Sequence, residues 1–500
     1  MVAARDNRGV AIRLGGAVAL FLLLVGQAQV TVLDGASMLA VTQSLVHHAS
    51  LAVPADLGVP GHDGVTHYSK YGLLLPLLAI VPVLIAQPIG ALTGRVDLVE
   101  AAAAATIMPL VAGALAAALF LLGRRIGAPR AAAALVAAGA VLGTYLLPYG
   151  RDFFTEPLVA LGLVVMVERA LAGREQQAAL ALAAAVLARP QSAAFAPLLL
   201  GFLALRGVGV RALARTIPPL AFAAIVTVAY NVFRFDDPLE FGYRLPVDPG
   251  FETPLLEGTA GLLFGPEKSI FLFAPALVLA PLALVALWRR ARLTTALLLG
   301  LFAVTFVLAA KWHSWQGGWS WGPRLVIPGV ALVLVALGPW IGASAARMRL
   351  VAALFALGFV ISFAAVLAPP GIQLIDNDPK TKGPQIVRQY RELPQLTKNS
   401  IHAPDFPSAR DGDYRRYLSL WQANLVRKAG AGALVPAVIL TLLMLAALLR
   451  VGAGLVAHLR PRDICDGDHV EDRQRSKVPR FSETTGETAH GTTDHPRRRR

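Results

Sequence analysis

Runs of about 20 apolar residues recur along this chain from residue 11 to residue 457, and no soluble domain interrupts them. Each run is long enough for a helix to cross a bilayer core roughly 30 Å thick. Only 15% of the 500 residues are charged, against roughly a quarter in a soluble domain. The expected fold class is therefore all-α: a polytopic membrane protein of about twelve transmembrane helices. The first apolar run lacks an A-x-A-like cleavage site and reads as a retained first span rather than a signal peptide.

A net charge of +15 would suggest nucleic acid in a soluble protein. Here much of it sits in short loops, as Arg124, Arg125, Arg130, Arg206, Arg211, Arg215, Arg289, Arg290, Arg292, Arg347 and Arg349. The positive-inside rule accounts for that placement, and no nucleic-acid partner is expected. The one cysteine, Cys465, excludes an intrachain disulfide.

Arg5, Arg8 and Arg13 put the N-terminus in the cytoplasm, with a first span over about 13–33. Residues 36–96 then form a first extracytoplasmic loop, with an amphipathic helical stretch at 36–52 and a Gly/Pro/His-rich connection. Residues 72–92 decide the topology. If they span, every later Arg-rich loop falls outside; if they lie along the interface, those loops fall inside. The charge bias and Pro76, Pro82, Pro88 and Gly90 favour the interfacial placement.

Later spans are then expected near 98–122, 130–149, 157–172, 176–188, 192–205, 215–233, 269–288, 293–311, 324–343, 350–368 and 430–457. Residues 369–428 form a second long outer loop. The C-terminus is cytoplasmic, and 458–500 read as a disordered polar tail ending in four arginines.

This threading gathers the polar motifs on one membrane face. Asp34 emerges where the first span ends, either as a helix-opening aspartate or as a functional carboxylate. Lys70, in HYSKYG with Tyr68, begins the interfacial segment, where an ammonium can snorkel or hold a lipid phosphate. Arg151, Asp152 and Glu156 form a compact charge set, and Arg189 precedes a proline between two short apolar runs. Arg324 follows a stretch holding Trp312, Trp315, Trp319 and Trp321. Indoles stack on sugar faces, and an arginine fork grips phosphate through two parallel bonds. His47, His48, His62, Asp63 and His67 match no closed metal-site spacing. No P-loop, GxSxG, HExxH or dinucleotide fingerprint stands out in a confirming context.

The acidic residue after the first span, "YSKYGLLLPLLA", "RDFFTEP", "NVFRFDDPLEFGY" and "GGWSWGPR" together resemble the GT-C superfamily of membrane glycosyltransferases. The style is closest to protein O-mannosyltransferases and lipid A aminoarabinose transferases, and the likeness covers about residues 11–457. It implies a GT-C-like domain over 1–457 that uses a polyprenyl-phosphate sugar as donor. It also implies Asp34 at the catalytic centre, and Lys70 and Arg324 on the donor phosphate. Tyr68, Arg151, Asp152, Glu156, Arg189, Trp315, Trp319 and Trp321 are the expected substrate-cavity residues. The chain departs from the O-mannosyltransferases in having Asp34-Gly35 rather than an acidic pair.

No cofactor is required by this reading, and a divalent metal is left open. The expected partners are the donor lipid, membrane lipid and a hydroxyl acceptor on a glycan, lipid or protein. The expected location is the bacterial plasma membrane, with the chemistry facing the cell envelope. A multi-span transporter or lipid flippase is the alternative, and a scaffolding protein the third reading. A transporter should bury charges near mid-helix, whereas most here sit at span ends.

Overall fold

The helices follow the apolar runs, and small residues decide how closely they pack. The computed structural model describes residues 2–30, 32–243, 250–318, 320–368, 385–401, 418–429 and 431–459. Residues 1–458 belong to one unit. Trp319, Cys465 and the tail from residue 460 lie outside the described residues, as does most of 369–428.

The first part of the chain comprises α1 (Val2–Leu24), α2 (Leu33–His48), the antiparallel pair β1 (Val59–Pro60) and β2 (His67–Tyr68), and α3 (Leu74–Thr93). Next come α4 (Val96–Ala105), α5 (Ile107–Arg125), α6 (Arg130–Leu142), α7 (Leu146–Tyr149), α8 (Glu156–Leu171) and α9 (Glu175–Ala188). Then follow α10 (Ala196–Leu205), α11 (Val210–Ala214), α12 (Ile217–Phe235), α13 (Leu255–Phe264), α14 (Ile270–Phe273), α15 (Ala280–Trp288) and α16 (Arg292–Lys311). The last are α17 (Ile327–Leu334), α18 (Leu337–Ile341), α19 (Ala345–Leu367), α20 (Gln385–Ile401), α21 (Trp421–Ala429) and α22 (Leu434–Leu459).

Among the described residues, seven segments are long and apolar enough to cross a membrane: Asp6–Leu24, Leu74–Thr93, Val96–Arg125, Val210–Phe235, Arg292–Lys311, Ala345–Leu367 and Leu434–Leu459. Several of the expected spans are instead built from shorter pieces. The 130–149 run divides into α6 and α7, and the 324–343 run into a 3-10 turn (Arg324–Val326), α17 and α18. Non-helical backbone at such breaks is tolerated where protein covers it, and Thr144, Tyr145 and Val335 are buried.

One expectation changes: the first helix ends at Leu24, not near residue 33, and Asp34 lies in the first turn of α2. Residues 72–92, expected to lie along the interface as a helical segment, form the continuous helix α3 with Pro82 and Pro88 inside it. An internal proline costs about 3 kcal/mol. A non-helical path through an apolar environment would leave more backbone groups unpaired, at several kcal/mol each. Leu75, Ala79, Val83, Ala86 and Gly90 face inward at helical spacing, while Leu77, Val81, Leu84, Ile85 and Ile89 are exposed. Such a helix is long enough to span.

Helix α5 packs against α1, α6 and α8 at the heart of the bundle. Gly15 of α1 and Gly113 of α5 meet so closely that a Cβ on Gly15 would stand 2.7 Å from the Gly113 carbonyl oxygen. Small residues let membrane helices approach to gain dispersion contacts. Polar ties fasten the loop elements. Glu100 of α4, fully buried, accepts from Gln43 Nε2 at 3.0 Å and pairs with His47 Nε2 at 2.8 Å, joining α2 to α4.

Candidate active site

Helix direction brings the site to one end of the bundle. Helix α1 runs toward it, α8 starts from it at Glu156, α9 runs back to it and ends before Arg189, and Arg324 opens the turn into α17. The loop 25–32 then carries the chain over to Asp34 at the start of α2.

Asp34 and Arg324 meet there, with Arg324 Nη1 donating to Asp34 Oδ2 at 2.8 Å. Arg324 Nε lies 3.8 Å from Glu156 Oε1, and Arg189 Nη2 stands 3.0 Å from the same oxygen. Arg189 Nε also donates to Thr155 Oγ1 at 2.9 Å. The result is a four-charge chain, Asp34–Arg324–Glu156–Arg189, in which the Glu156 side chain is only 1% exposed. Phe154 places its ring 5.0 Å from the Arg324 guanidinium carbon. Burial works to raise the Asp34 pKa, but the Arg324 guanidinium, a hydrogen bond from Tyr71 and the charge on Arg189 outweigh it. The carboxyl is held below its usual range and stays ionised.

Lys70 stands on the neighbouring side, its Nζ 4.7 Å from the centre of the Tyr243 ring. Tyr71 connects the two groups, hydrogen-bonding Asp34 while sensing Tyr243. The glycines of these motifs have a steric role. A Cβ on Gly72 would stand 2.5 Å from the carbonyl oxygens of Leu187 and Ala188, so only glycine lets the Lys70-Tyr71 turn close against the end of α9. Gly317 takes φ +73° and lies against the Arg324 stem, where a Cβ would come within 3.0 Å of Cγ.

The structure unites Asp34, Glu156, Arg189 and Arg324, while Lys70 precedes Tyr71, which bonds Asp34, and packs its ammonium on Tyr243. It gives the remaining expected residues other surroundings. Arg151, 1% exposed, donates from Nη1 to the carbonyls of Val25 at 2.8 Å and Ser419 at 2.5 Å. Asp152 accepts from Gln27, and Ser419 Oγ donates to Gln27 Oε1 at 2.9 Å. Burial pushes the Asp152 carboxyl up to about 6, against the pull of Arg151 and Gln27. Together they lock the loop after α1 to the segment 418–424. Tyr68 packs edge-on against Phe233 with ring centres 5.7 Å apart. Trp321 packs perpendicular to Phe273, and its carbonyl accepts from the Tyr149 hydroxyl at 2.7 Å. Trp315 lines a cleft of about 550 Å³ with Glu267, Lys268, Gln316, Gly318 and Arg388.

Sequence reasoning missed Tyr71 and Lys268. Tyr71 lies inside the motif that carries Lys70, which was a signal for it. Lys268 gave little signal, being a lone cation in a turn. It is 6% exposed and donates from Nζ to the carbonyls of Ser320 and Gly322, the latter at 3.2 Å. Gln385 of α20 holds the same turn, accepting from Gly322 N at 3.3 Å and donating to Ser320 O at 3.2 Å. Burial and the neighbouring Arg324 push the Lys268 ammonium down to about 7, with Glu267 opposing.

Among the described residues no three His, Cys, Asp or Glu side chains gather as metal ligands. Asp34 and Glu156 both face the Arg324 guanidinium, at 2.8 and 3.8 Å.

No protein-family model and no curated protein matches the chain. A solved structure does: ArnT from Cupriavidus metallidurans bound to undecaprenyl phosphate. It aligns with a TM-score of 0.51 at 12% identity, covering 90% of this chain and 75% of that one. The apo state of the same ArnT aligns with a TM-score of 0.45 at 12% identity, over 92% of this chain and 75% of that one.

Proposed function

We propose that this chain, a multi-pass membrane protein with the GT-C-type fold of ArnT, is a glycosyltransferase. It moves a sugar from a polyprenyl-phosphate donor to a hydroxyl acceptor on the extracytoplasmic face of the bacterial plasma membrane. The observation that carries the reading is the 2.8 Å pair of Asp34 and Arg324, backed by Glu156 and Arg189, with Lys70 next in the chain to Tyr71, which bonds Asp34. One carboxylate and two cations at the end of a helix bundle are what a transfer from a lipid phosphate needs.

In the resting protein Arg324 neutralises Asp34 and makes it a weak base. A donor phosphate entering between Arg324 and Lys70 draws the guanidinium onto its own oxygens. Asp34, released from its counter-charge inside a poorly solvated site, then becomes a stronger base. The acceptor oxygen attacks the anomeric carbon and the bond from that carbon to the phosphate oxygen breaks. The acceptor proton passes to Asp34, and the bonding pair leaves on the phosphate. Arg324 and Lys70 stabilise that growing charge. A single displacement inverts the anomeric centre. Glu156 and Arg189 hold the guanidinium in register. The cleft beside Trp315 is the proposed approach for a hydroxyl-rich acceptor, the indole offering a face for sugar stacking.

The test is transfer from a panel of polyprenyl-phosphate sugars by the purified protein, with membrane extract supplying acceptors. Transfer from one donor class supports the reading. Inactivity with every donor, beside an active control enzyme in the same extract, removes it in favour of a transporter.

Lys268 supplies a pH test within the same reading. Its ammonium is charged below pH 7 and increasingly neutral above it, so the field favouring phosphate beside Arg324 weakens as pH rises. Transfer should fall through an alkaline limb near pH 7. Lys268→Arg should retain activity and lose that limb, because its charge persists. A limb unchanged in Lys268→Arg assigns it to another group.

A further inference from the structure

Far from Asp34, the other end of the bundle carries a second gathering of cations. Helix α8 is 16 residues long, so its Leu171 end lies roughly 24 Å from Glu156. There residues of α1, α8 and α9 line a shallow, open groove of about 640 Å³, whose lining includes Arg8, Arg169, Arg174 and Gln177 together with Val165 and Leu180.

Neighbouring arginines at this end are spent on partners. Arg125 pairs with Glu168 at 2.6 Å, Arg130 with Asp6 at 2.5 Å, and Arg206 donates to the Ala170 carbonyl at 2.9 Å. Arg8 and Arg174 are exposed and have no carboxylate partner among the described residues. Arg169 Nε lies 3.2 Å from Glu168 Oε2, but that carboxylate is already shared with Arg125. Arg174 immediately precedes α9, and Gln177 lies in the first turn of that helix. The free N–H groups and dipole of that 14-residue helix add positive potential to the groove. Glu175, in the same turn, is the acidic group nearest in sequence to oppose it.

We propose that this groove is a binding site for an anionic phospholipid, its headgroup phosphate held by Arg8 and Arg174 and its first acyl carbons lying on Val165 and Leu180. Charge complementarity and position support that occupant. The groove combines uncommitted guanidinium groups with an apolar wall at the ends of membrane helices, the level at which headgroups lie. The proposal does not depend on the catalytic reading.

The experiment uses the delipidated full chain in neutral detergent and measures binding of palmitoyl-oleoyl-phosphatidylglycerol, palmitoyl-oleoyl-phosphatidylcholine and inorganic phosphate. Phosphatidylglycerol should bind best. In the double variant R8Q/R174Q its affinity should drop on the order of tenfold or more, two arginines each contributing near a headgroup. R289Q/R290Q removes equal charge elsewhere and should leave binding intact. Both side-chain pairs are exposed, so the fold should persist in each variant, as its thermal midpoint will show. Equal loss in the two variants, or no loss in either, overturns the site. Inorganic phosphate binding as well as phosphatidylglycerol overturns the lipid assignment.

Discussion

Asp34→Asn should lower turnover by roughly 10²- to 10⁴-fold, the usual contribution of a positioned general base, while the protein remains folded. Asparagine is nearly isosteric and still accepts from Arg324 and Tyr71 through its carbonyl oxygen. It does not take up the acceptor's proton, so the attacking oxygen stays a neutral hydroxyl. The exchange also frees Arg324 from its closest counter-charge, now 2.8 Å away. The donor phosphate then meets a more available guanidinium, and its KM should hold steady or fall while kcat collapses. That split separates loss of chemistry from loss of binding. It is read from initial rates of sugar transfer at varied donor, beside a thermal midpoint for each protein. Full turnover in the asparagine variant would keep the enzyme class and remove Asp34 from its centre.

Arg324→Gln acts on the other half of the reaction. The variant loses both the charge and the fork that meet phosphate oxygens, and kcat/KM should fall by about 10²- to 10³-fold, with donor KM rising. It also strips one counter-charge from Glu156, whose side chain is 1% exposed, leaving Arg189 at 3.0 Å as the ion-pair partner. Breaking a buried pair costs on the order of 3–5 kcal/mol when nothing remains, and the remaining arginine should limit that loss. Arg324→Lys serves as the companion. It preserves charge beside Asp34 and Glu156, so it should fold like wild type, yet it offers no bidentate grip. Activity intermediate between wild type and Arg324→Gln is the expected result. Normal donor KM in a folded Arg324→Gln protein would exclude this residue from the phosphate site.

The residues behind these two predictions differ in how far the sequence exposed them. Asp34 stands out because a carboxylate near the end of an apolar run is costly unless it is used or paired. Arg324 stands out through the aromatic and glycine-rich stretch before it. The sequence did not show that the two touch, being 290 residues apart. Arg151 and Asp152 illustrate the opposite case. Beside Glu156 they read as cavity charges, but the carbonyls of Val25 and Ser419 converge on Arg151 and Gln27 reaches Asp152. Both residues brace the loop that leads toward Asp34. At α3 the prolines did not interrupt the helix, because lone-residue penalties are local whereas the pairing of a whole apolar backbone is not.

Hydrophobic run length alone determined that this is a helical membrane protein, since about 20 apolar residues match the thickness of a bilayer core. The alternation of those runs also determined which polar motifs lie at the same end of the bundle. Only the tertiary structure decided which of them meet: Asp34 with Arg324 and Tyr71, Glu156 with Arg189, and Lys268 beneath the turn that carries Arg324. The physical reason is that burial is written in local periodicity. Charge pairing depends instead on how close α1, α5, α8 and α9 approach, which small residues such as Gly15 and Gly113 set across long separations in the chain.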